Sequence, residues 1–387
     1  MIVVEAADGV GGRVRTDRVD GFRLDRGFQV LLTAYPEAQR LLDLESLALR
    51  RFEPGALVRR RDRFHRVSDP FRQPTQVLAT LRAPVGSIAD KARLAWMRRR
   101  LLAAEPADLL RAPETTTADR LSAAGFSAAM IDRLFRPWFA GVLCDPQLRT
   151  TSRMFDVLFR MFAVGDSAVP ATGMQAIPDQ LASQLPAGAI RLNTPVREVR
   201  VDSVVDAEGH VLRSASVVVA TDGLAAARLA AIDAPGSRQS TTVWFGADRG
   251  PMDDPVLMLD GDGTGPAQSV VVMSAVAPEY APAGAALIVA SVAGSLDDGL
   301  EGAVRSQLRG WFGGAVDGWQ HLRSDRIAHA LPEQCVPTSP KRAIRLHTGV
   351  YVCGDHRDTA SIQGAMFSGR RTAQRIATDG GDRRVPA

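Results

Sequence analysis

The chain has 387 residues, 45% of them hydrophobic and 23% charged, which excludes a disordered or fibrous protein and leaves room for two domains with a sizeable core. Its 47 basic and 43 acidic residues give a net charge of +4, too small for a dedicated nucleic-acid binder. Lys91 and Lys341 are the only lysines among those basic residues, so arginine clusters reflect a compositional bias and carry little functional weight.

The chain opens on a short apolar run, Ile2-Val3-Val4, ending in Glu5, followed by the glycine-rich turn Asp8-Gly9-Val10-Gly11-Gly12-Arg13. Tyr35 to Leu47 has helical spacing, and Leu57 to Arg66 alternates like an exposed hairpin strand whose arginines are solvated. Helices are expected over 88–104 and 117–134. A turn at Pro170 to Met174 then leads into a helix ending near Leu185. A β-rich block follows, closing in Val217 to Gly223 as a buried strand. Residues 238–330 read as strands with one helix near 302–312. Gly349 to Asp355 is a strand running into a loop, a helix covers about 363–378, and fraying is expected beyond Gly380.

The uncharged stretch from Tyr280 to Leu296 is short for a membrane span and carries Pro282, Gly284 and Gly294, so a buried strand is expected there. Cys144, Cys335 and Cys353 match no zinc or disulfide spacing, and no metal is expected. With no basic region or long apolar core at the start, no signal peptide is expected either, and a reducing cytoplasmic setting is the default.

An acidic residue at the end of an apolar strand, as Glu5 is, can accept hydrogen bonds from adenosine ribose hydroxyls. Such a residue normally lies ~20 positions after a G-x-G-x-x-G loop that cradles pyrophosphate. Glu5 stands too near Met1 for that. The first strand-loop-helix unit is therefore expected to be missing from the chain as read, either because its start was placed too late or because it is a degenerate remnant.

The run from Val3 to Thr16 resembles the second strand and following loop of the FAD-containing amine oxidase superfamily, which includes monoamine and polyamine oxidases, protoporphyrinogen oxidase and phytoene desaturases. Paired glycines such as Gly11 and Gly12 allow backbone N–H groups close to phosphate, and Arg13 can add a charge-assisted contact. Asp25-Arg26-Gly27-Phe28-Gln29 is similar to the segment that meets the flavin ring. Val350 to Asp355, followed by Gly364-Ala365-Met366-Phe367-Ser368-Gly369-Arg370, is similar to the family's closing flavin motif. The resemblance implies that Gly354 and Asp355 hold the ribityl–pyrophosphate side. It also implies that the helix at Gly364, Ala365 and Met366 points its N-terminus at the flavin pyrimidine edge. Val196 would read the adenine through its backbone. Pro170 to Met174 is similar to the family's P-x-G-G-M turn, with Thr172 in place of the first glycine.

The resemblance implies an α/β fold: a discontinuous Rossmann-like FAD-binding domain, lacking its first βα unit, over 1–70, 165–235 and 335–387. A substrate domain of mixed β-sheet plus helices would occupy 71–164 and 236–334. The implied activity is hydride transfer from an apolar small molecule to flavin N5. Amine-oxidising members place a lysine in the strand comparable to Ser240 to Phe245, and that stretch has none, which favours a desaturase-like or protoporphyrinogen-oxidase-like branch. The alternatives are an amine oxidase without that lysine and a non-catalytic remnant. No individual catalytic residue can be named. His356, Arg357 and Asp358 read as loop residues, Arg136 to Gly141 as substrate domain or core, and the helix bearing Trp96 as domain packing or a membrane-surface contact.

Overall fold

The computed structural model describes residues 1–339 and 341–382. The fraying expected at the end of the chain therefore falls largely on 383–387, outside the described residues.

The chain begins with short strands, β1 (Val3–Val4), β2 (Thr16–Val19) and β3 (Phe22–Asp25), then the hairpin β4 (Gly55–Arg60) and β5 (Arg63–Ser68). Helices α1 (Val77–Arg82), α2 (Ile88–Ala103) and α3 (Ser152–Val164) come next. β6 (Ile190–Arg191), β7 (Val218–Val219) and α4 (Gly223–Ala230) lead into the long strands β8 (Ser237–Ala247), β9 (Leu257–Asp260), β10 (Ser269–Val272) and β11 (Ala286–Ala293). α5 (Leu300–Phe312), β12 (Gln320–Pro332), β13 (Tyr351–Val352) and α6 (Ile362–Asp382) follow, and further strands and helices lie between the elements named.

A seven-stranded mixed sheet, ordered β12-β8-β11-β10-β9-β4-β5, dominates the described residues. It is antiparallel except where β9 runs parallel to β4. Period-two alternation sets its two faces. Trp244, Leu259, Val271 and Val289 point into the larger core, where they join Phe135, Phe139 and Phe155 from the helical region. Val243, Phe245, Met258 and Ile288 face Leu300, Val304 and Leu308 of α5. β11 is buried along its whole length, as the apolar stretch around Ile288-Val289 predicts.

Two smaller parallel pairs stand apart from this sheet. β1 pairs with β6 (Val3 opposite Ile190) and β7 with β13 (Val218 opposite Tyr351). Among the described residues neither β1 nor β7 has a strand on its other edge.

Several local expectations are corrected. The helix expected from Tyr35 ends at Leu41. The one expected over 117–134 breaks at Gly125, whose φ of +82° no helix accepts. The Leu57–Arg66 hairpin is not a solvated one: Leu57 and Val58 are buried and Phe64 packs on Trp311 and Phe312. Its arginines are engaged too, Arg60 with Asp262 and Arg66 with Glu53 and Asp254. The hairpin belongs to the large sheet, so alternation reflected two packed faces rather than one wet one. In the run from Val217, strand structure is confined to β7 and Val218 is exposed.

Candidate functional site

The residues expected to touch a cofactor come together through the loop between β1 and β2. Glu5 is held by pairing to β6, where its N–H donates to Arg191 O at 2.9 Å, and its own Oε1 accepts from Ala7 N at 2.8 Å. Thr194 N–H donates to Glu5 O at 2.8 Å, which anchors the approach to Val196 beside it. The turn that follows closes through Val14 N–H to Gly11 O at 2.8 Å. A β-carbon at Gly11 would lie 2.4 Å from Val14 O, whereas Gly12 faces open space. The turn thus requires one glycine for its own closure and leaves room above the next.

Arg13 is the hub. Its Nη2 pairs with Asp355 Oδ2 at 2.7 Å and its Nη1 donates to Ala330 O at 2.7 Å. Gln29 Nε2 donates to Arg13 O at 2.8 Å and to Arg26 O at 3.1 Å, so the Gly27-Phe28 segment is tied to the same loop. Phe28 N–H in turn donates to Thr242 Oγ1 at 3.2 Å, docking that segment on the buried middle of β8.

On the opposite side, Gly354 (φ +142°) turns the chain after β13, and its N–H donates to Ser368 Oγ in α6 at 2.8 Å. A β-carbon on Gly354 would meet the His356 ring at 2.7 Å. Gly364, in the first turn of α6, sits against Thr359 O, which a β-carbon would approach to 1.9 Å. Ala365 and Met366 follow on the same turn, both half-buried. A small cavity of about 10 Å³, enough for one water, is lined by Arg13, Asp222, Gly223, Ser237 and His329.

Sequence reading missed three features. His356 is buried yet neither ring nitrogen has a hydrogen-bond partner, and burial holds its pKa below the usual histidine value. Asp25 is buried at the junction of β3, the Pro170–Met174 turn and Tyr280. It accepts from Thr16 Oγ1 (2.5 Å), Met174 N (2.9 Å) and Tyr280 OH (2.9 Å), and burial raises its pKa to about 6. Thr242 is the third. The sequence flagged Asp25 only as the start of a motif, and Tyr280 lies 255 positions away with no local signal. Arg357 and Asp358 are engaged structurally, with Ala343 O and Arg371. Of the two lysines, Lys91 Nζ donates to Leu81 O and Ala83 O at a helix end, and Lys341 lies over the Phe367 ring.

Parallel strand pairs and a glycine turn after an acidic strand end are features of dinucleotide-binding α/β folds, and here an arginine–aspartate pair joins the two ends of the chain. The chain belongs to the family of flavin-containing amine oxidoreductases, whose model matches residues 1–377. It is an FAD-dependent oxidoreductase. Solved structures share its fold at low identity. An oxidoreductase from Methanosarcina mazei is 15% identical with a TM-score of 0.74, over 96% of this chain and 93% of that one. A candidate protoporphyrinogen oxidase from Exiguobacterium sp. 255-15 is 17% identical with a TM-score of 0.71, over 98% and 93%. Cyclohexylamine oxidase from Brevibacterium oxydans is 17% identical with a TM-score of 0.66, over 98% and 93%. A sequence search of curated proteins finds no match.

The residues present fit FAD. Arg13 and the open turn at Gly12 offer a cation and backbone room to a diphosphate, two glycines admit no side chain where the loop and helix meet, and His356 has two unsatisfied buried nitrogens beside Gly354.

Proposed function

We propose that the chain holds FAD through Glu5, Gly11, Gly12, Arg13, Gly27, Phe28, Val196, Gly354, Asp355, Gly364, Ala365 and Met366, and that it oxidises an apolar small molecule. Glu5 and Val196 take the adenosine end, Arg13 and the Gly11-Gly12 turn take the diphosphate, and Asp355 takes the ribityl side. The N–H groups of the first α6 turn stabilise negative charge at the pyrimidine edge. Bound there, FAD supplies the acceptor for a hydride leaving a substrate C–H bond. The FAD part comprises 1–70, 165–235 and 335–387 and the substrate part 71–164 and 236–334, with β4 and β5 lending their pairing to the large sheet. A further strand-loop-helix unit pairing with the free edge of β1 or β7 would complete the cofactor domain; each strand is paired on one edge alone among the described residues, which supports this reading.

The observation that carries the choice of branch is Thr242. It is the β8 residue that meets Phe28, and it offers a neutral hydroxyl in the strand comparable to the one where amine-oxidising members carry a lysine. The reading is therefore desaturase-like or protoporphyrinogen-oxidase-like. The test is anaerobic bleaching of the flavin absorbance. Protoporphyrinogen or phytoene should bleach it and a panel of primary amines should not; bleaching by amines would overturn the assignment.

Arg13→Gln should weaken FAD binding by roughly 10- to 150-fold, the equivalent of losing one charge-assisted hydrogen bond of about 1.5–3 kcal/mol. Flavin fluorescence quenching measures this, on the chain as it stands and on a version extended upstream. A folded protein that takes up no flavin in either form would leave only the remnant reading. Unchanged affinity in the variant would remove Arg13 from the site.

A further inference from the structure

Large apolar side chains are exposed in one concentrated place. Phe71 (65% exposed), Leu78 (63%), Leu81, Ile88 (73%) and Trp96 (62%) all fall within 26 residues covering α1, the following turn and the first half of α2. No helix among the described residues is long and apolar enough to cross a membrane, so this surface is not part of a span.

Hydrogen bonds and ring contacts join these residues into one surface. Lys91 Nζ reaches back from α2 to the carbonyls of Leu81 (2.6 Å) and Ala83 (2.8 Å), fixing the C-terminal end of α1 against α2. The Arg98 guanidinium lies 4.6 Å from the Phe71 ring centroid, pairs with Asp69 at 2.8 Å and reaches Ala163 O, next to the exposed Val164 at the end of α3. Arg100 lies over the Trp96 ring at 5.6 Å. Along α2, Ile88, Ala92, Trp96 and Arg99 recur at helical spacing and are all exposed, which makes one stripe of the helix outward-facing.

Within this segment the charge is mostly basic, while Arg72, Arg98 and Arg100 pair with Asp166, Asp69 and Asp156 outside it. Residues 71–104 contain seven basic side chains and a single acid, Asp90. Asp90 is buried and spent on capping, accepting from Ser87 N at 2.8 Å and from Ser127 N at 2.8 Å. Arg82, Arg93, Arg99 and Arg100 are exposed along the same edge. That excess within the segment departs from the near balance of the whole chain.

We propose that this face, from Phe71 through α2, rests on an anionic lipid surface. Isolated Ile, Leu, Phe and Trp side chains projecting from short helices suit insertion among acyl chains. Tryptophan favours the boundary between apolar and polar layers, and arginine stems lie along apolar surface while their guanidinium groups reach phosphate. A second copy of the chain would bring like charges together across the contact, which disfavours self-association. The proposal does not depend on the flavin assignment, since its test reads vesicle binding and not turnover.

The experiment is co-sedimentation of the full chain with phosphatidylcholine vesicles, with and without phosphatidylglycerol, at low and high salt. The protein should pellet with the anionic vesicles, remain largely free with the neutral ones, and release partly at high salt. The double variant Ile88→Ser/Trp96→Ser removes two exposed side chains and should keep its circular dichroism while losing about tenfold or more in partitioning. Arg82→Glu/Arg99→Glu should lose about tenfold or more on anionic vesicles alone. A folded wild-type chain that stays in the supernatant with anionic vesicles would overturn the proposal. So would wild-type binding by both variants, or a concentration-dependent dimer in vesicle-free buffer that Ile88→Ser/Trp96→Ser dissolves.

Discussion

Gly364→Ala should yield a folded protein that no longer retains flavin. A β-carbon at this position would lie 1.9 Å from Thr359 O and 2.8 Å from the Thr359 carbonyl carbon. Both are backbone atoms of the loop between Asp355 and α6, so no side-chain rotation relieves the overlap. Either the first turn of α6 moves outward or the loop retreats, and both movements disturb the meeting of Gly354 with Ser368. Overpacking of this kind costs about 1–3 kcal/mol, and the displaced helix N-terminus adds the loss of its electrostatic contact. A drop in FAD affinity of roughly two orders of magnitude is expected, with a modest fall in melting temperature. Gly369, on the same helix, is the control. A β-carbon there meets nothing within 4 Å, so Gly369→Ala should keep flavin and gain up to about 1 kcal/mol of helix propensity. The comparison needs only the visible spectrum and a thermal melt of each variant; equal flavin content in the two would refute a steric role for Gly364.

The same glycine illustrates what could be read in advance. A strand ending in Gly354-Asp355 and a small-residue helix start are local patterns, and the structure brings Asp355 to Arg13 from 342 positions away. Glycine turns and acidic strand ends were legible because backbone geometry restricts which residues can stand there. The burial of His356 was not, since a His-Arg-Asp run has the composition of a surface loop, and distant Gly223 packs against its β-carbon while Gly354 packs against its ring. The β4–β5 hairpin misled for a related reason. Alternation marks two different faces but does not say that one is wet, and the partners of Arg60 and Arg66 lie in distant sequence. Thr242 carried no motif at all; what singles it out is register, placing its hydroxyl under Phe28.

Asp25→Ala should be among the most destabilising substitutions in the chain, while Asp25→Asn should be tolerated and should change how stability depends on pH. Alanine would strip acceptors from Met174 N–H and Tyr280 OH, and Tyr280 is fully buried. At about 1–3 kcal/mol for each unsatisfied buried group, the loss comes to about 3–5 kcal/mol. It would also free the turn at Met174 and the segment leading to Gly27. Asparagine keeps Oδ1 as acceptor for Thr16 and Met174 and can donate from its amide to the tyrosine oxygen. The pH effect follows from burial, which raises the folded-state pKa of Asp25 from 3.8 to about 6 against the hydrogen bonds and the nearby Arg323, which lower it. The folded state therefore holds a proton that the unfolded chain releases. This contribution to stability is complete below about pH 3.8, declines as pH rises, and reaches its lower plateau above about pH 6. At 1.36 kcal/mol per unit, the decline amounts to roughly 3 kcal/mol. Asparagine does not titrate, so the stability of Asp25→Asn relative to the parent should rise by about that amount between pH 4 and pH 7, with all other titrating groups cancelling in the difference. Denaturant midpoints of the two proteins across that range measure it directly. A constant difference would mean that Asp25 stays ionised in the folded chain, and that the hydrogen bonds from Thr16, Met174 and Tyr280 outweigh the cost of burying its charge.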